Sequence, residues 1–166
     1  IANYDNNFIV YYTGSETVDV NDYLIVDGLI KGAFKGKNYI GSNVTAPLIE
    51  TKNIEKTDYI NAVVPTKKEV TLTDATITQH DVSVTYDKVE FAAAETRIYL
   101  TATNKSDATF NLHTYSAKII QNGQQIEAGF ANYDADYPEV ATSLLAGASS
   151  SGIIVFPALE EADFQI

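Results

Sequence analysis

Residues 82–104 read VSVTYDKVEFAAAETRIYLTATN, and this stretch decides the fold. Val, Ile, Thr, Tyr and Phe alternate with polar residues through residues 82–92 and again through 97–104, while apolar residues rarely recur at spacings of three and four. A period of two places alternate side chains on opposite faces of an extended chain, so both runs read as strands, one face buried and one wet. The same pattern recurs at 8–13, 23–31, 44–54, 70–78, 110–121, 125–130, 141–146 and 151–157. Turn-forming sequences separate the runs, among them Lys35-Gly36-Lys37, Asn104-Lys105-Ser106-Asp107, Asn122-Gly123 and Gly147-Ala148-Ser149. Asn122-Gly123 is the clearest of these, because a two-residue type I′ turn needs positive φ twice and this pair supplies it cheaply. Residues 110–121 are therefore expected to pair with 125–130, and the chain to be all-β.

Composition bounds the rest. Hydrophobic residues make up 45% of the 166 and charged residues 20%, enough apolar surface for a packed core and too little charge for a disordered chain. The longest apolar run, GIIVF at 152–156, falls far short of the ~20 residues a spanning helix needs. A net charge of −11 repels phosphate backbones, so nucleic acid is not an expected partner. With no cysteine, disulfides, thiolate chemistry and Cys-ligated zinc are excluded.

The boundary falls at 57–68, TDYINAVVPTKK, where alternation is lost, a proline that cannot donate to a ladder appears, and two lysines follow. The expected organisation is a β domain at 1–56, a linker at 57–68 and a second β domain at 69–166, the latter able to fold alone. In the first, Asp27-Gly28 interrupts the run DYLIVDGLIKG, which predicts a bulge and a strongly coiled strand. The Tyr4-Asp5 strand entry, Asp22-Tyr23, the Gly28 and Gly32 pair, Asn38 and Gly41, Pro47 with Ile49-Glu50, and Ile54-Glu55-Lys56 together resemble the second half of the OB-like domain of secreted Gram-positive lipoproteins. An OB fold has five strands and this segment about three, so a partial OB-like barrel is expected, with an open strand edge suited to self-association.

The second segment, with turns every 8–12 residues, reads as an immunoglobulin-like β-sandwich. Val89-Glu90-Phe91, Tyr99 through Asn104, the 110–121 run with Asn122-Gly123, and Gly147 through Phe156 resemble the immunoglobulin-like domain of unknown function found in Gram-positive surface lipoproteins. The resemblance implies an extracellular, membrane-anchored protein held by a lipid on a cysteine upstream of Ile1. It implies no catalytic residues and no cofactor.

The side chains agree with that expectation. His80 and His113 fall on different segments with no cysteine or spaced carboxylates to complete a metal site, and no G-x-S-x-G elbow accompanies the serines of 149–151. Asn43-Val44-Thr45 and Asn104-Lys105-Ser106 match the glycosylation sequon. The sharpest exposed feature is the acidic loop at 132–139. There Tyr133, Asp134, Asp136, Tyr137 and Glu139 combine aromatic rings and carboxylates suited to recognising a protein or an ion, though the oxygen set is incomplete for calcium. The expected function is a non-catalytic extracellular or cell-surface binding or scaffold module whose partner is a protein or cell-envelope component. The alternative is an accessory domain of a larger secreted enzyme.

Overall fold

The computed structural model describes residues 7–129 and 135–166 and divides into two units, one ending at Asp58 and one beginning at Tyr59. Both are built from strands, and no sheet closes into a barrel among the described residues, so the protein is all-β as its periodicity predicts.

The first unit is a three-stranded sheet of order β1-β3-β2, made of β1 (Ile9–Tyr12), β2 (Tyr23–Lys37) and β3 (Asn43–Thr57). β1 runs parallel to β3, Ile9 opposite Leu48 and Val10 opposite Ile49, while β2 runs antiparallel to it. The register skips between Asp27 and Leu29 and again between Ile30 and Gly32, so the break at Asp27-Gly28 is a bulge that coils β2. Only a glycine fits there: a Cβ on Gly28 would stand 2.7 Å from Ile49 Cγ2 and 2.8 Å from the Glu50 carbonyl oxygen. Thr51 fills the same spot from β3, its Oγ1 2.5 Å from the Asp27 carbonyl oxygen. The expected turn at Lys35-Gly36-Lys37 lies inside β2 instead. The chain reverses at 38–42, where Asn38 Oδ1 accepts the Ser42 N–H at 2.9 Å and Gly41 takes φ 85°.

The second unit opens with α1 (Tyr59–Val63), followed by β4 (Thr66–Thr71), β5 (Thr76–Gln79), β6 (Val82–Ala92) and β7 (Glu95–Asn104). Then come β8 (Phe110–Asn111), a 3-10 turn at Thr114–Ser116, β9 (Lys118–Gln121), β10 (Gln124–Glu127), β11 (Ser143–Leu144) and β12 (Ser149–Pro157). Its main sheet has the order β12-β7-β6-β4, with β5 also paired to β6. The pairs β9-β10 and β8-β11 supply Ile119 and Leu144 to a core otherwise built from Val89, Phe91, Ile98, Leu100, Ile154 and Phe156. Residues 57–68, read from sequence as a linker, hold α1 and the start of β4, and Tyr59 and Val64 are buried.

Asn122 and Gly123 take φ 53° and 76° and join β9 to β10. The long strand expected at 110–121 is broken, however, by the 3-10 turn. There Ser116 Oγ donates to the His113 carbonyl and Tyr115 Oη lies 3.0 Å from His113 Nδ1, local bonds that compete with a ladder. The run 70–78 is likewise split at Asp74, which adopts φ 58°.

Candidate functional site

The strongest electrostatics lie on the outward face of the main sheet. Along β7 the inward residues Ile98, Leu100 and Ala102 enter the core, which leaves Glu95, Arg97 and Tyr99 on the other face. Arg97 is nevertheless fully buried there. Its Nε donates to Glu90 Oε2 at 2.9 Å, Nη1 to Glu95 Oε1 at 2.8 Å and to the Val64 carbonyl at 3.1 Å, and Nη2 to Thr66 Oγ1 at 2.7 Å. Tyr137 closes the cluster: its hydroxyl donates to Glu95 and accepts from Arg97 Nη1 at 3.3 Å, and its ring meets Tyr59 edge-on at 6.0 Å. Lys88 extends the cluster toward solvent, donating to Glu90 Oε1 at 2.5 Å and Glu69 Oε2 at 2.8 Å.

Glu90, Arg97, Lys88 and Tyr137 are shifted by their neighbours. Burial would raise the Glu90 carboxyl, but hydrogen bonds from Lys88, Arg97 and Tyr99 outweigh it and hold the group below its ordinary value. Burial would lower the Arg97 guanidinium, and its bonds to Glu95, Tyr137 and Glu90 raise it instead. The Lys88 ammonium is raised by Glu69 and Glu90. The Tyr137 phenol is raised by burial and by Glu95. Shifts of this kind mark catalytic centres as well as structural clusters. Here every polar group is engaged by another side chain or a backbone carbonyl, and the arrangement acts as a clasp joining β6 and β7 to Val64, Thr66 and the 135–140 segment.

That segment carries the loop singled out by sequence. Tyr133 and Asp134 lie outside the described residues. Asp136 and Glu139 are exposed, whereas Tyr137 is half-buried in the clasp. Tyr137 and Glu139 also border a shallow cleft of about 340 Å³ with Tyr115 and Ile153. The backbone beyond them is pinned to β12, since Pro138 O accepts the Ile153 N–H at 2.9 Å and Val140 is buried in the core. Gly152 permits this approach: a Cβ there would stand 2.5 Å from the Val140 nitrogen. No group of three or more His, Asp or Glu side chains able to hold a metal occurs among the described residues.

A second concave feature escaped the sequence reading. A cleft of about 500 Å³ opens on the inner face of β4 and β6, between Val70, Leu72, Val89 and Phe91 on one side and Phe164 of the C-terminal segment on the other. No motif announces it, because its walls are ordinary core residues of strands distant in sequence.

The sequon at Asn104 is also explained. Its side chain is fully buried, donating through Nδ2 to the carbonyls of Ala108 and Leu144 at 2.8 and 3.0 Å, so it is a staple between β7 and β11 and no attachment point. On the wet face, Thr76 and Thr85, Thr101 and Ser151, and Thr103 and Ser149 pair hydroxyl to hydroxyl at 2.9 Å, stitching four strands together.

No protein-family model matches the chain, and no curated protein matches it either. Among solved structures, "The crystal structure of a functionally unknown protein from Listeria monocytogenes EGD-e" is similar, with a TM-score of 0.50 and 8% identity over 58% of this chain and 68% of that chain, a likeness of fold alone.

Proposed function

We propose that the protein is a non-catalytic binding or scaffold module of a bacterial cell surface, held there as a lipoprotein, with a protein or cell-envelope component as its partner. The observation that carries this reading is the first unit's sheet. Among its described residues only Ala46 and Thr51 are buried, while Phe8, Tyr11, Leu29 and Ile30 are 51%, 61%, 68% and 75% exposed. Exposed apolar groups on this scale mark interaction surfaces. The outer strands β1 and β2 each have one neighbour among the described residues, which leaves edges to which an extended segment can add. Lys31, Lys35 and Lys37 together with the two bulges of β2 discourage indiscriminate pairing, so recognition falls to the apolar side chains. The lack of cysteine and the resemblance to surface lipoprotein domains support the cell-surface setting.

Cosedimentation with purified bacterial envelopes tests the reading. The wild-type protein is expected to pellet with them, and a Leu29→Lys, Ile30→Lys variant with an unchanged melting temperature to stay in the supernatant. Equal sedimentation of the two proteins would remove the sheet from the binding role.

A further inference from the structure

The cleft of the second unit has a chemistry of its own. Val70, Leu72, Val89, Phe91, Ile98 and Phe164 give it apolar walls, and its volume of about 500 Å³ lies within the range of small-molecule sites. Two hydrogen-bond donors line it. Tyr86, packed against the core from β6, lines the cleft, and its hydroxyl has no hydrogen-bond partner among the described residues. Burial raises this phenol above its ordinary value, so it stays protonated and able to donate. Lys68, at the rim, donates to the Glu161 carbonyl oxygen at 3.4 Å, stands 4.0 Å from Glu161 Oε2 and lies 5.9 Å from the centre of the Phe91 ring. An apolar slot lined by a phenol and an ammonium suits an aliphatic chain that ends in an acceptor. The rim also carries Glu161 and Asp163, so with one cation against two carboxylates, in a chain of net charge −11, a free anionic head is repelled.

We propose that this cleft binds a single-chain amphiphile whose head is uncharged and accepts hydrogen bonds, such as an acyl ester. The chain lies against β4 and β6 beneath Phe164, and the ester oxygens accept from the Tyr86 hydroxyl and the Lys68 ammonium. This site is independent of the association surface on the first unit, and either can fail without the other.

Titration calorimetry on the full chain with three probes of equal chain length, each kept below its micelle-forming concentration, decides the matter: monodecanoylglycerol, decanoate and decyltrimethylammonium. The glyceride is expected to bind at one site per chain and tightest of the three. Leu72→Trp, which fills the slot, should abolish binding, and Tyr86→Phe should weaken it about fivefold, the worth of one ordinary hydrogen bond. A merely structural role for the phenol would move the melting temperature of Tyr86→Phe and leave the affinity alone. If Leu72→Trp does not fold, Ala75→Phe narrows the same cleft from a half-buried position. Tighter binding of either decanoate or decyltrimethylammonium than of the glyceride would overturn the proposal of an uncharged head. No binding by any probe would mean that the C-terminal segment or a second copy fills the cleft, and unchanged binding in both variants would place the ligand elsewhere; either result overturns the proposal.

Discussion

Arg97 concentrates more of the second unit's specificity than any other single side chain. It is fully buried and binds Glu90, Glu95, Thr66, Tyr137 and the Val64 carbonyl at once. Removing one member of a buried ion cluster leaves the others charged and unpaired, which costs far more than the cluster contributes relative to an apolar replacement. Arg97→Met is therefore expected to lower stability by about 3–5 kcal/mol in denaturant unfolding, the cost of a broken buried pair. The clasp also sets the pH limits. Glu90 titrates below its ordinary 4.5 when folded, so the stability it contributes is present above that value and is lost as pH falls through the depressed one. Tyr137 and Lys88 are raised above their ordinary 10.0 and 10.5, so their contribution is full below about pH 10 and is lost as pH rises beyond it. A melting scan across pH should show both limbs, and Tyr137→Phe should flatten part of the alkaline one. Tyr137 was visible in the sequence as an exposed recognition residue. Its hydrogen-bond partners Glu95 and Arg97 lie some forty residues earlier on β7, a distance that no local pattern spans.

The long strands of the first unit show how much one residue shapes an element. Valine has the higher strand propensity, yet Gly28→Val would drive a side chain against Ile49 and the Glu50 carbonyl at the bulge. We expect it to destabilise by about 1–3 kcal/mol, the usual cost of overpacking, and to broaden the amide signals of β2 and β3 in NMR spectra. Bulge, hairpins and most strands were legible, because the period of two and the Asp-Gly and Asn-Gly pairs act over a few residues. The breaks in 110–121 and 70–78 were not: a 3-10 turn without Gly or Pro and a left-handed Asp74 leave no composition shift. Nor was α1, whose five residues are too few to show a helical period. Its packing nonetheless bears on where the second unit starts. A fragment beginning at Tyr59 keeps Tyr59 against Tyr137 and the Val64 carbonyl on Arg97, and one beginning at Lys67 loses both. The longer fragment should melt cooperatively and several degrees higher; identical melts would show that α1 adds nothing.

On the scale of the whole molecule, two units of unlike character share the chain. The second has a continuous core and a clasp on its outer face, and the first has neither among its described residues. Periodicity foretold the fold class. The concave features it could not foretell, since a cleft arises from what meets in space. The main sheet has one further consequence. β6 pairs with β5 and β7 through short connections, but the other edge of β7 is filled by β12, Ser149 opposite Thr103 and Pro157 opposite Glu95. Closing that pairing requires some forty intervening residues to be gathered first, a loop-closure cost that slows non-local strands. During synthesis β7 therefore waits, its Ile98 and Leu100 face already made and its edge bare, until the ribosome has delivered Pro157. In that interval the bare edge of β7 is open to pairing with another chain.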